Sequence, residues 1–109
     1  MTQDDLTEPQ FQDQITGLAQ LLGWWWCHWR PAQTTHGWRT PVSGPLGAGW
    51  PDLFLARERD QRVMLVELKA GRGQLSDAQA WVHDRLRGAG LEVHVWRPGD
   101  IDAAAAALR

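Results

Sequence analysis

The sequence predicts an α/β domain with the element order αβββαβ, a mixed β-sheet flanked by helices. Three observations predict it. Two apolar runs, Leu53 to Ala56 and Val63 to Val66, are separated by the charged patch Arg57 to Arg62, the pattern of a β-hairpin. Apolar residues recur at helical spacing between Thr7 and Gly23, and again between Ser76 and Gly90. The second of these helices is followed at once by an alternating run, Leu91, Val93 and Val95, so it serves as a crossover into a last strand.

Length and composition bound the class. The 109 residues suffice for one domain with a single core. Eight tryptophans and no tyrosine are unusual, and most of the tryptophans fall between residues 24 and 50. No run approaches the length of a membrane-spanning helix, and the polar N-terminus does not resemble a signal peptide. Cys27 is the only cysteine, which excludes an internal disulfide and suits a reducing cytoplasm. The expectation is a cytoplasmic protein without membrane attachment. A net charge of −2 is awkward for a nucleic-acid binder, because phosphate neutralisation supplies much of such affinity. Distribution softens this: Asp4, Asp5, Asp100 and Asp102 lie near the ends, while nine of the arginines, from Arg30 to Arg97, occupy the middle.

Along the chain, residues 1–6 are expected to fray. Thr7 caps the first helix, with Gln10 three residues on completing a capping box. Phe11, Ile15, Leu18, Ala19 and Leu22 form its buried stripe, and Gly23 ends it. Glu8 stands in the first turn, where the helix dipole favours an acid. Trp24 to Arg30 is read as the first strand, with Trp25, Cys27 and Trp29 on one face and Trp24, Trp26, His28 and Arg30 on the other. Residues 31–49 hold no periodic pattern and many glycines and prolines, so a long loop is expected. It is either a substrate-contacting flap, with Trp38 and Arg39 stacking on or clamping a nucleotide, or a bland insertion. Gly71 and Gly73 permit a sharp turn after Lys69. Ser76 caps the second helix, with Gln79 at capping-box spacing and Ala78, Trp81, Val82, Leu86 and Ala89 as the buried stripe. Residues 100–109 form a loosely packed alanine-rich helix.

The chemistry-bearing stretch is Gly49 to Lys69, GWPDLFLARERDQRVMLVELK. A four-residue turn pairs Arg57 with Arg62, and the same register sets Asp52 opposite Glu67. Opposed carboxylates about 5 Å apart at Cβ repel, and a divalent cation with oxygen ligands is the natural compensation. Side chains two apart share a face, so Lys69 projects beside Glu67 while Leu68 points into a core. Lys69 is the only lysine among the 11 Lys and Arg residues, which fits a role needing a compact point charge. The plainer alternative makes Asp52 a turn residue after Pro51, and Glu67 and Lys69 a solvated strand face.

Pro51-Asp52 followed by Glu67-Leu68-Lys69 resembles the PD-(D/E)XK nuclease superfamily. Gly71-Arg72-Gly73-Gln74-Leu75-Ser76 with Gln79, and the closing Val93-His94-Val95-Trp96-Arg97-Pro98, look like a small standalone VRR-NUC domain of the bacteriophage and bacterial type. The likeness runs from Glu8 to Pro98. It implies a restriction-endonuclease-like core and a Mg²⁺- or Mn²⁺-dependent DNA endonuclease. In that reading Asp52 and Glu67 hold the ion with the Leu68 main-chain carbonyl, and Glu8 lies at the edge of the metal site. Lys69 positions or helps deprotonate the attacking water, and Gln79 points at the scissile phosphate, a role preferred here over the cap. His28, Arg30, Trp38, Arg39 and Arg72 are the candidate nucleic-acid contacts, with His28 alternatively packed on an aromatic face. The resemblance further implies a homodimer acting on branched DNA such as a Holliday junction. Two rivals remain, a non-catalytic DNA- or protein-binding module on the same fold and a metal-dependent phosphoesterase acting on RNA or nucleotides.

Overall fold

In the computed structural model, which describes residues 1–29 and 42–109 in full and only the backbone of 32–34 and 37–39 between them, the first helix α1 spans Glu8–Leu21. Its N-terminus is closed by the expected box: Thr7 N–H donates to Gln10 Oε1 at 2.9 Å, and Gln10 N–H to Thr7 Oγ1 at 3.3 Å. Gly23 leaves the helix at φ +87°, a conformation that suits glycine. The expected frayed start is instead a short 3₁₀ turn, Gln3–Asp5. Gln3 Nε2 donates to Gln14 Oε1 at 2.7 Å and to the Pro98 carbonyl at 3.0 Å, which ties the N-terminus to both α1 and the last turn before the C-terminal helix.

Strand β1 (Trp25–His28) is shorter than the run from Trp24 to Arg30. Trp24 turns inward and is buried, its indole N–H donating to the Leu108 carbonyl at 2.8 Å. The stretch expected to be a loop contains a small antiparallel pair, β2 (Ala32–Thr34) and β3 (Gly37–Arg39), and a 3₁₀ turn, Gly47–Gly49. Period-2 patterning is weak in three-residue strands and cannot separate them from a loop.

The hairpin forms in the expected register. β4 (Leu53–Arg57) and β5 (Arg62–Leu68) are antiparallel, from Arg57 opposite Arg62 to Leu53 opposite Val66. The connection is a 3₁₀ turn, Glu58–Asp60, closed by Gln61 at φ +53°. Helix α2 (Asp77–Gly88) then crosses over to β6 (Glu92–Trp96), which runs parallel to β5. The strand order β1-β4-β5-β6 makes a mixed four-stranded sheet with β5 inside it, followed by α3 (Ile101–Leu108).

The sheet has an apolar layer on each face. On one, Leu53, Leu55, Met64, Val66 and Leu68 pack against Phe11, Ile15 and Ala19 of α1 and against Ala104 and Leu108 of α3. On the other, Leu65 and Val93 meet Val82 and Leu86 of α2, with Leu46, Trp50 and Phe54 closing the rim. The C-terminal helix is therefore part of the core. Arg57, 3 % exposed, fastens it: its guanidinium donates to the carbonyls of Leu22, Leu108 and Arg109 and to the Asp60 carboxylate. The stripe expected on α2 is rotated. Val82, His83 and Leu86 are buried, whereas Ala78 and Ala89 are exposed and Trp81 is 48 % exposed.

Candidate active site

Asp52 immediately precedes β4, one residue beyond the Leu53–Val66 pair, so it faces Glu67 at the end of β5. Its backbone continues the ladder on one side, where Trp29 N–H donates to the Asp52 carbonyl at 3.3 Å. Its side chain continues it on the other: the Leu68 N–H donates to Asp52 Oδ2 at 2.8 Å. That bond fixes the carboxylate against the strand that carries Glu67. Close packing delivers Asp52 from the opposite direction, because a Cβ on Gly49 would run into the Ala78 carbonyl oxygen and lie 2.7 Å from Val82. Only a glycine lets this turn lie so tightly on α2.

Glu67 does not lie on a solvated face. It is 2 % exposed, beneath α2, and its Oε1 has no hydrogen-bond partner among the described residues. Burial pushes its carboxyl up to about 9, with hydrogen bonding to Asp52 and the charges of Asp52 and Glu8 adding to the rise and Lys69 opposing it. Glu8 stands exposed in the first turn of α1 and within electrostatic reach of the same pair. Partial desolvation raises its carboxyl, the Asp52 charge adds to the rise, and Lys69 again opposes it. Lys69 is half-buried, its backbone N–H bonded to the Trp96 carbonyl at 3.1 Å. Among the described residues its ammonium takes part in no ion pair. Leu68 is buried in the core on the opposite face from Glu67.

Several expected contributors are placed elsewhere. Gln79 is committed to its cap: Ser76 N–H donates to Gln79 Oε1 at 2.9 Å, and Gln79 N–H donates to Ser76 Oγ at 3.1 Å. The structure thus shows the cap, the alternative to the reading that points Gln79 at the scissile phosphate, because the unsatisfied amide at the helix start lies three residues away and takes the side-chain oxygen. His28 pairs with Leu53 and stacks on Trp26 with ring centroids 5.9 Å apart. Opposed residues share a sheet face, so His28 takes the α1 side, whereas Asp52 and Glu67 take the α2 side. Arg72 is exposed in the turn after Lys69. Arg30 lies outside the described residues, as do the side chains of Trp38 and Arg39.

His83 was not anticipated. It is fully buried on α2, and its Nε2 lies 3.8 Å from Glu67 Oε1. The available signal was its position one residue after Val82 and three before Leu86, on the face that the helical period turns toward the sheet.

No three His, Cys, Asp or Glu side chains among the described residues are grouped to hold a metal by themselves. Two facing carboxylates at the ends of adjacent strands, one of them buried, fit a small hard cation that keeps most of its ligands as water.

Comparison with known proteins shows the fold and the family. A family model for the VRR-NUC domain matches residues 42–98, just over half of the chain and the part that carries Asp52, Glu67 and Lys69. A solved structure of a VRR-NUC domain is similar with a TM-score of 0.61 at 23% identity, covering 88% of this chain and 90% of that one. No curated protein matches the chain. Among the described residues no helix is long and apolar enough to cross a membrane. With the strand order, the Asp52–Glu67–Lys69 corner and the family match in agreement, the chain belongs to the VRR-NUC family of nuclease domains.

Proposed function

We propose that this nuclease domain is a Mg²⁺- or Mn²⁺-dependent endonuclease that hydrolyses phosphodiester bonds in DNA. One observation carries the reading: the buried Glu67 carboxyl is held against the Asp52 carboxylate, which helps push it up to about 9, beside the only lysine of the chain. Two carboxylates facing each other oppose their joint ionisation, and added positive charge offsets that cost.

Asp52 and Glu67 would hold the ion, with the Leu68 carbonyl as a further oxygen donor and Glu8 available to a second ion. When bound, a divalent ion acidifies water and offsets the charge that develops on the phosphoryl oxygens. Lys69 contributes the rest of the positive charge and orients the attacking water as a hydrogen-bond donor. Arg72, exposed in the adjoining turn, would take a neighbouring phosphate.

The preference for branched DNA, such as a four-way junction, and the two-fold dimer rest on the family likeness. For the dimer there is also exposed aromatic surface: Trp25 and Trp26 on the edge strand β1 are 70 % and 37 % exposed.

A cleavage panel of junction, flap, linear duplex, single-stranded DNA and RNA, run with an Asp52→Asn control, tests the reading. Metal-dependent DNA cuts abolished in the control support it. Cleavage of RNA alone would give the site to the phosphoesterase alternative. No cleavage together with no Mg²⁺ binding by calorimetry would leave a binding module.

A further inference from the structure

His83 has no solvent exposure, and neither of its ring nitrogens has a hydrogen-bond partner among the described residues. Glu67 Oε1, 3.8 Å from His83 Nε2, is in the same condition. Their neighbours along the chain explain the isolation: Val82 and Leu86 on α2 and Leu65 on β5 belong to one apolar cluster. Two facing polar groups, each bare and each buried in apolar surroundings, are stabilised most by each other. An approach of about 1 Å would bring them within the ordinary range of a hydrogen bond. A neutral imidazole carries one N–H, which it can donate to a facing carboxylate oxygen.

We propose that His83 is the positioning residue for Glu67: its Nε2–H donates to Glu67 Oε1 and turns the other carboxylate oxygen toward Asp52, where the two carboxylates would share an ion. The proposal rests on the metal-dependent reading above. It assigns α2 a part in the site that the expected Gln79 role does not supply. It also gives Glu67 one oxygen for the protein and one for the ion, which a carboxylate on a mobile side chain would not have.

The test uses His83→Leu, which keeps volume without a donor, and His83→Gln, which offers an amide N–H at a similar reach. Mn²⁺ affinity is measured by calorimetry, and kcat and KM on a cleaved DNA, beside thermal melting. His83→Leu should weaken Mn²⁺ binding about 10- to 100-fold and lower kcat with little change in KM, without a lower melting temperature. His83→Gln should recover most of both. Wild-type Mn²⁺ affinity in His83→Leu, or equal losses in the two variants, would overturn the proposal. A double-mutant cycle of His83→Leu with Glu67→Leu, followed by melting in chelator, reads the same contact without metal. Non-additive effects are expected, and additive ones overturn the proposal. Should His83→Leu not fold, His83→Met, which also lacks a donor, takes its place in the cycle. If the wild-type protein binds no Mn²⁺, the metal-dependent reading fails, and the cycle alone decides the role of His83.

Discussion

The Leu68 amide donates to the Asp52 carboxylate at 2.8 Å, so the residue proposed to hold the ion also forms the rung that follows the Leu53–Val66 pair. One oxygen of Asp52 is structural, and the charge of the group is what remains for chemistry. Asp52→Asn keeps an oxygen for the Leu68 N–H, so it should fold and melt near the wild type while losing cleavage by at least about a hundredfold. Asp52→Ala removes both and should also lose about 1–3 kcal/mol of stability. Melting without metal, together with cleavage at millimolar Mg²⁺, separates the two effects. Near wild-type turnover in Asp52→Asn would remove Asp52 from the site.

Glu67 gives the metal-free protein a signed pH dependence. Its folded carboxyl, pushed up to about 9, keeps a proton that the unfolded chain has already released, so stability falls as pH rises between the two values. His83 acts in the opposite sense but only below its ordinary range, since its folded value is lowered. The unopposed window is therefore pH 7 to 9, where the decline can reach at most about 1.4 kcal/mol per pH unit. Glu67→Gln should flatten that decline and melt higher at pH 9. Millimolar Mg²⁺ should flatten it in the wild type while releasing a proton. An equal slope in wild type and Glu67→Gln would contradict the burial argument.

The hairpin register was legible because Arg57 to Arg62 marks its turn and the apolar runs flank it, and the register alone sets Asp52 opposite Glu67. Capping boxes at Thr7 and Ser76 were legible from spacing, although spacing alone could not show that Ser76 would claim Gln79. What escaped was depth. Nothing local distinguishes a Glu67 on an open sheet face from one covered by a crossover helix. The tilt of α2 that buries His83 and exposes Trp81 depends on where the Gly49 turn lies against it. The C-terminal helix was expected to be loose because alanines bury little area, yet backbone carbonyls at its end are held by Arg57 at the end of β4 and by Trp24 just before β1.

That anchor yields its own prediction. Arg57 donates to carbonyls from the end of α1 and the end of α3 at once, with Asp60 orienting its fork. Arg57→Lys retains a charge but cannot reach three carbonyls and a carboxylate in one plane. It should release α3, read as faster amide exchange at Ala104 to Leu108, and lower the melting temperature. Metal affinity should persist while the protein remains folded. Unchanged exchange in α3 would show that the apolar contacts of Leu108 suffice.

Gly49 places the turn before Asp52 against α2, where an added methyl meets the Ala78 carbonyl oxygen and Val82. Gly49→Ala must push the turn and the helix apart, with a destabilisation of about 1–3 kcal/mol. Because Asp52 follows three residues later, divalent affinity should fall as well, even at temperatures where the variant is fully folded. Gly44→Ala serves as the comparison. A Cβ there meets nothing within 4 Å, and its φ of +96° makes any loss a backbone effect. Losses of metal binding that match in the two variants would mean that the packing at Gly49 does not position Asp52.

Lys69 is the sharpest test of the charge argument. It projects on the same strand face as Glu67, opposes the rise of both the Glu67 and Glu8 carboxyls, and forms no ion pair among the described residues. Its charge therefore acts on the carboxylate group as a whole. Lys69→Arg preserves that charge but replaces a compact ammonium by a wide, planar fork, beside a turn where Gly73 already approaches the Lys69 side chain. Long-range electrostatics should survive, so divalent affinity and the melting temperature should change little. The orientation of the attacking water should not survive, and the cleavage rate should fall at least about a hundredfold. Lys69→Met, which removes the charge, should differ further by raising the pH above which metal-free Glu67 ionises. If Lys69→Arg cuts DNA at the wild-type rate, Lys69 is a generic surface charge and its singularity in the sequence carries no chemical meaning.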